Sequence, residues 1–217
     1  MALTSWDYMW RTTPMHRSEE SGGADDLPPR LPERALDDDV QRIEDGAGPL
    51  FHRLYRAQIR DARLSPEELI SCLGVDPNRA TPTALARFLK VRGADGGMAV
   101  GDELVVRMPG PWDGPVRVTL SEPGSFRFAT LSGHLEAGQI EFRAMRAEGM
   151  LRFEIESWAR SGDRLSNLLY HHLRMAKEVQ LHMWTSFLER VARLAGGRLT
   201  GGIEIISRKV EDPLARS

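Results

Sequence analysis

Hydrophobic and polar residues alternate along several short stretches of the chain, a period typical of strands that bury one face. The first stretch is FHRLYRAQIR at 51–60, and five more follow one another between residues 103 and 157. Short turns rich in glycine and proline separate these five, which predicts an antiparallel β-meander. One face of that sheet is apolar and the other is charged, so another element must cover the apolar face.

Two helices are predicted, and the second one supplies the cover. The first begins at Ser65, followed by a proline and two glutamates, and ends near Gly74. The second is long, begins at Asp163 and ends before Gly196. Helical periodicity predicts that ten of its residues face the sheet: Leu165, Leu169, His172, Ala176, Val179, Gln180, Met183, Phe187, Val191 and Leu194. Four residues are predicted to point the other way: Arg174, Glu178, Thr185 and Ala192.

The chain is predicted to have three parts, of which residues 50–197 form the folded domain. Residues 1–49 are rich in proline, glycine and acidic side chains, a composition typical of a flexible extension. The aromatic side chains Trp6, Tyr8 and Trp10, together with the Pro-rich steps at 27–32, favour instead a strap that lies on the domain surface. Residues 198–217 are predicted to be a polar tail, with a short edge strand at 203–206.

Composition and charge exclude several classes of protein. A net charge of −2 over 217 residues provides no field for a polyanion, so no nucleic-acid partner is expected. One cysteine, the absence of a signal-like N-terminus and the absence of any apolar run of spanning length predict a cytoplasmic protein without a membrane span. No cofactor motif is found, and the spacing of His171, His172 and His182 does not fit a metal site, so neither a cofactor nor a metal is predicted.

The order of elements resembles the helix-grip fold of Bet v 1, START and polyketide-cyclase-like proteins. In these α+β proteins an antiparallel meander is wrapped around a long C-terminal helix. The motif T-L-x-G-H-x-E-x-G at 130–138 resembles, more specifically, that of a bacterial and plant family known only as a domain of unknown function. The Gly110-Pro111-Trp112 loop, the residues A-V-G-D-E at 99–103 and Phe142 strengthen this resemblance, which covers about residues 50 to 195.

The loop that contains this motif provides the candidate acid–base residues. His134 and Glu136 lie two residues apart and could work together, with Thr130 as a further candidate. The structural alternative is that both residues only stabilise a loop between Gly133 and Gly138. A cavity between sheet and helix would be lined by five candidate ligand-binding residues: Trp112, Phe128, Phe142, His172 and Gln180.

Three functions remain open from the sequence. The first is a small-molecule binding protein whose cavity holds an apolar or amphipathic ligand. The second is a cyclase, dehydratase or isomerase that uses His134 and Glu136 as acid–base groups. The third is a structural or interaction protein with a filled core. The sequence leaves the ligand and the oligomeric state undecided, because a fold of this kind serves all three roles.

Overall fold

The computed structural model describes residues 13–108, 113–162 and 170–211, and within the last range the side chains from Val179 onward. Over these residues the chain forms nine strands and two helices. They are β1 (Met15–Ser21), β2 (Gly46–Arg60), α1 (Pro66–Val75), β3 (Arg87–Arg92), β4 (Glu103–Arg107), β5 (Asp113–Glu122), β6 (Ser125–Thr130), β7 (Glu136–Ala147), β8 (Met150–Gly162), α2 (Tyr170–Leu194) and β9 (Arg198–Val210). Short 3₁₀ turns lie at 24–26, 33–35, 43–45 and 77–79.

All nine strands belong to one mixed sheet, in the order β1-β9-β2-β8-β7-β6-β5-β4-β3. The strands from β3 to β8 are neighbours in sequence as well as in space, and each pairs antiparallel with the next. β9 pairs antiparallel with β2 on one side and parallel with β1 on the other. The molecule is therefore mostly sheet, with a C-terminal helix packed against one face, called here the inner face.

The core lies between the inner face and the C-terminal half of α2. Phe187 of α2 is buried, and its ring centroid lies 5.6 Å from that of Phe142 and 6.3 Å from that of Phe153. Trp184 packs edge-on against the same Phe142 ring at 5.5 Å. Because these aromatic side chains interlock closely, this half of the inner face is filled.

The face of α2 that is buried differs from the predicted one by about one residue. Met183, Phe187 and Val191 are buried as predicted, but Val179 is 40% exposed. Thr185 and Ala192, predicted to point away, are buried at 8% and 3% exposure. Trp184 and Leu188, which follow Met183 and Phe187 directly, are also buried, so the buried face of the helix is wider than predicted. Helical spacing predicts which residues share one face, but it does not determine how far the contact with the sheet extends to either side of that face.

The sheet continues on both sides of residues 50–197, into the segments predicted to be an extension and a tail. β9 extends over Arg198–Val210 between two other strands, and Ile203, Ile205 and Val210 are buried. The predicted strand was shorter because Gly201 and Gly202, both with positive φ, interrupt the alternation. β1, from the predicted extension, pairs with β9.

Residues 22–45, called here the strap, lie on the outer face of the sheet. Val40 bridges to Leu131, and the carbonyl of Pro29 accepts a hydrogen bond from Gln139. Asp26 and Ala35 of the strap are buried. The strap interpretation therefore holds for these residues, whereas Trp6, Tyr8 and Trp10 lie outside the described residues.

Candidate functional site

His134, in the predicted active loop, stabilises the loop itself. Its ring Nδ1 accepts a hydrogen bond from the backbone N–H of Glu136 at 2.9 Å, and the backbone N–H of His134 donates to the carbonyl of Leu131. Burial lowers the pKa of His134 below its ordinary value, although Glu136 opposes the shift. The ring is therefore neutral at pH 7. A Cβ at Gly114 would lie 3.0 Å from Nε2, so the glycine makes room for the ring.

Thr130 and Gly138 of the same motif also have structural explanations. The hydroxyl of Thr130 accepts from the N–H of Gly138 at 2.9 Å and donates to the carbonyl of Gln41 at 2.9 Å. A Cβ at Gly138 would lie only 1.9 Å from the carbonyl oxygen of Trp158, so no larger residue fits. Most of the motif therefore fixes the β6–β7 loop and its contact with the strap.

Glu136 is the motif residue whose side chain reaches α2. Its Oε2 accepts a hydrogen bond from Nε2 of Gln180 at 3.4 Å. This contact brings together one candidate acid–base residue and one candidate ligand-binding residue. His134 meets Glu136 through its backbone, so the two side chains do not form a histidine–carboxylate pair.

The other predicted ligand-binding residues are in the core or outside the described part. Phe128 and Phe142 are each 1% exposed and pack with Phe126, whose ring stacks on Phe142 at 4.9 Å. Both rings belong to the core cluster, and their role in ligand binding remains a prediction. Trp112 and the side chain of His172 lie outside the described residues, so their roles remain predictions.

Arg53 and Ser157 are the polar residues of the inner face that the sequence analysis missed. They lie opposite each other on β2 and β8, and they are only 8% and 4% exposed. The Nη1 atom of Arg53 and the hydroxyl of Ser157 are buried and have no hydrogen-bond partner among the described residues. Buried polar groups nearly always have partners, because leaving one unpaired costs about 1–3 kcal/mol. These two residues therefore form the candidate site.

The strand alternation contains the signal that could have found them. Residues 51, 53, 55, 57 and 59 of β2 share one face, and Arg53 is the charged member of this otherwise apolar or aromatic set. Ser157 likewise follows Leu151, Phe153 and Ile155 on the inner face of β8. A charged residue at an inward position of a strand is rare, so it indicates a functional role.

Aromatic and apolar side chains surround the Arg53–Ser157 pair. The Arg53 guanidinium lies 4.8 Å from the ring centroid of Phe51, and half-buried Ile140 lies opposite Ser157 on β7. Burial raises the pKa of Tyr55 to about 12, an effect that the charge of Arg53 opposes and that of Glu136 reinforces. The phenol is therefore neutral at pH 7 and can donate a hydrogen bond.

The outer face contains a larger charged cluster, but its central histidine is saturated with partners. His52 contacts Asp26 of the strap through Nδ1 and Glu156 through Nε2, both at 2.8 Å. Its ring stacks on Trp158 with centroids 5.2 Å apart. Burial lowers the pKa of His52, but the hydrogen bonds to Glu156 and Asp26 outweigh it, so the pKa is raised overall. We infer that this cluster fixes the strap to the sheet.

Two cavities of the described residues lie away from the candidate site. One, of about 390 Å³, lies at the sheet edge beside Pro14, His16 and Gly202. The other, of about 370 Å³, is a groove between α1 and the β5–β6 turn and includes Ile70 and Met98. Within the described residues no group of three histidine, cysteine or acidic side chains could hold a metal ion. Neither described helix has the length and apolar character needed to cross a membrane.

A mostly antiparallel sheet with one C-terminal helix on its inner face resembles the helix-grip class of proteins. Residues 83–190 match the model of a family described as a domain of unknown function (DUF1990). The match confirms the resemblance predicted from the motif at 130–138. Ser157 and Gln180 lie inside the matched segment, whereas Arg53 precedes it.

Solved structures of low sequence identity also resemble the chain, whereas no curated protein matches it. One of them is Ara h 8.0201, which has 10% sequence identity and a TM-score of 0.44. The similarity covers 67% of this chain and 97% of that chain. Protein Ms6760 from Mycobacterium smegmatis has 14% identity and a TM-score of 0.43, over 73% of this chain and 95% of its own. The KanY protein (ms6282) has 8% identity and a TM-score of 0.49, over 66% and 96%. At these scores the similarities indicate nothing about ligand or activity.

Proposed function

We propose that this protein binds a small apolar or amphipathic molecule between the inner face of the sheet and α2, at the Arg53 end of β2. The arrangement would be that of a helix grip, in which an antiparallel meander and a long C-terminal helix enclose the ligand. The observation that carries the proposal is the pair Arg53 and Ser157, which are buried on the inner face and whose Nη1 and hydroxyl have no partner in the described part of the chain. Groups of this kind are stabilised when a ligand supplies their missing partners.

The division of the inner face supports this location. The half near Phe153 and Phe187 is filled with interlocking rings. At the other half, Phe51, Ile140 and Gln180 are half-buried, as expected for residues that border a binding site. An acid–base enzyme is less well supported, because His134 is engaged by its own loop.

Native mass spectrometry of the purified full chain tests the proposal. We expect a bound small molecule, or binding of added decan-1-ol or decanoate, that is released when the protein unfolds. An Ile140→Trp variant should lose this binding, because the larger side chain occupies the proposed space. A Val91→Trp variant is the matched control, since Val91 is 61% exposed on β3. A protein that carries no ligand and binds neither probe would contradict the proposal.

A further inference from the structure

The environment of Arg53 restricts the chemistry of the ligand. A guanidinium has five N–H donors and no acceptor, and it remains charged when buried. Arg117 of β5, which is 4% exposed, shows how this chain otherwise accommodates such a group. Its two terminal nitrogens each lie 2.7 Å from a carboxylate, one from Asp37 and one from Glu103. For Arg53 no described carboxylate is within salt-bridge distance, and its Nη1 has no acceptor.

The ring of Phe51 does not replace such a partner. A cation–π contact attracts the charge but accepts no strong hydrogen bond from the guanidinium N–H groups. The missing partner is therefore an acceptor with negative charge, placed above the inner face. Ser157, directly opposite on β8, presents a hydroxyl that also lacks a partner.

We infer, on the basis of the proposed function, that the ligand is an amphipathic monocarboxylate whose carboxylate binds Arg53 and Ser157. A planar carboxylate accepts two parallel hydrogen bonds from a guanidinium, and its remaining lone pairs can accept from the hydroxyl. The single positive charge of Arg53 balances the single negative charge of a carboxylate, and the hydroxyl of Ser157 adds a neutral donor. A phosphate monoester would bring nearly two charges and leave the excess buried, so a carboxylate is favoured.

The apolar part of the ligand extends toward Phe51 and Ile140. These half-buried side chains lie on the inner face beside Arg53 and Ser157 respectively. The opposite direction is closed, because Tyr55, Ile155 and Phe142 form the next row across the three strands and are buried in the core. The site thus combines one charged end with an apolar wall on one side.

Three ten-carbon compounds with different head groups test the inference: decanoate, decan-1-ol and decyl phosphate. Each is titrated into the full chain, and the dissociation constant is measured by NMR. We expect decanoate to bind most tightly, by about tenfold or more over decan-1-ol, as a charge-assisted pair in a buried site predicts. Arg53→Gln should weaken decanoate binding by about tenfold or more and weaken decan-1-ol binding much less, because the alcohol carries no charge to pair with the guanidinium. Arg53→Lys should keep part of the preference for decanoate, because the charge remains but the planar fork is lost.

Arg60→Gln is the matched control, because Arg60 lies on the same strand and its side chain is 59% exposed. It should bind all three compounds as the wild type does. Equal binding of decanoate and decan-1-ol, unaffected by Arg53→Gln, would overturn the inference and leave the proposed function intact. Tighter binding of decyl phosphate would overturn the carboxylate assignment. Binding of none of the three would contradict the proposed function itself.

Discussion

Replacing Arg53 by methionine is expected to make the ligand-free protein more stable. The change removes a buried guanidinium whose unpaired donor costs about 1–3 kcal/mol and keeps the length of an apolar stem. It also removes the cation–π contact with Phe51, which contributes about 0.5–2 kcal/mol. The balance is a gain of about 1 kcal/mol in the free energy of unfolding. Stability and binding should therefore change in opposite directions, as at many functional sites.

Arg127→Met is the matched comparison, because Arg127 is a half-buried arginine with a partner. Its Nη2 lies 2.6 Å from Glu141, and the two side chains are 13% and 6% exposed. Removing this arginine leaves a buried carboxylate short of one partner and should cost about 3 kcal/mol. Urea unfolding of protein refolded from denaturant, to remove any ligand, measures both changes. If Arg53→Met destabilised the protein as much as Arg127→Met does, Arg53 would be structural and our account of it would be refuted.

Three further results are expected. Phe187→Ala should lower the free energy of unfolding by about 3–5 kcal/mol, because the ring is buried among other rings, whereas Val179→Ala on the exposed side of α2 should change it by less than about 0.5 kcal/mol. The pKa of His52 is raised, so its protonated ring should stabilise the fold below its ordinary pKa of 6.5, and this contribution should be lost as the pH rises through the raised value. In urea unfolding curves measured over a series of pH values, His52→Gln should make this decline in stability smaller. His134→Ala should cost about 1–3 kcal/mol, because it leaves the N–H of Glu136 unpaired, and it should leave decanoate affinity unchanged when both are measured on the same sample.

Local signals allowed much of the fold to be predicted. The start of α1 is an example, because Ser65 and Glu68 exchange reciprocal side-chain to backbone hydrogen bonds at the first turn. The strands from β4 to β8 were predicted for the same reason, since alternation and turns are local properties. β1 could not be predicted, because its residues MHRSEES are all exposed and carry no apolar period. Its place depends on parallel pairing with β9, which no local pattern encodes.

The candidate site could be predicted only in part. Arg53 is visible in the sequence as a charge at an inward position of the alternation at 51–60, but alternation alone does not tell whether its polar atoms have partners. Whether a buried polar atom has a partner depends on the register between β2 and β8, and their facing residues here are separated by about a hundred positions in sequence. His134 was the more conspicuous residue because it belongs to a motif, yet that motif mainly fixes a loop.

The position of a bound probe tests the central claim most directly. Intermolecular NOEs between unlabelled decanoate and carbon-13-labelled protein report which side chains lie within a few ångström of the ligand. We predict NOEs from the decanoate chain to the methyl groups of Ile140 and the ring of Phe51, beside Arg53 and Ser157. NOEs confined to Ile70 and Met98, in the groove between α1 and the β5–β6 turn, would contradict the account.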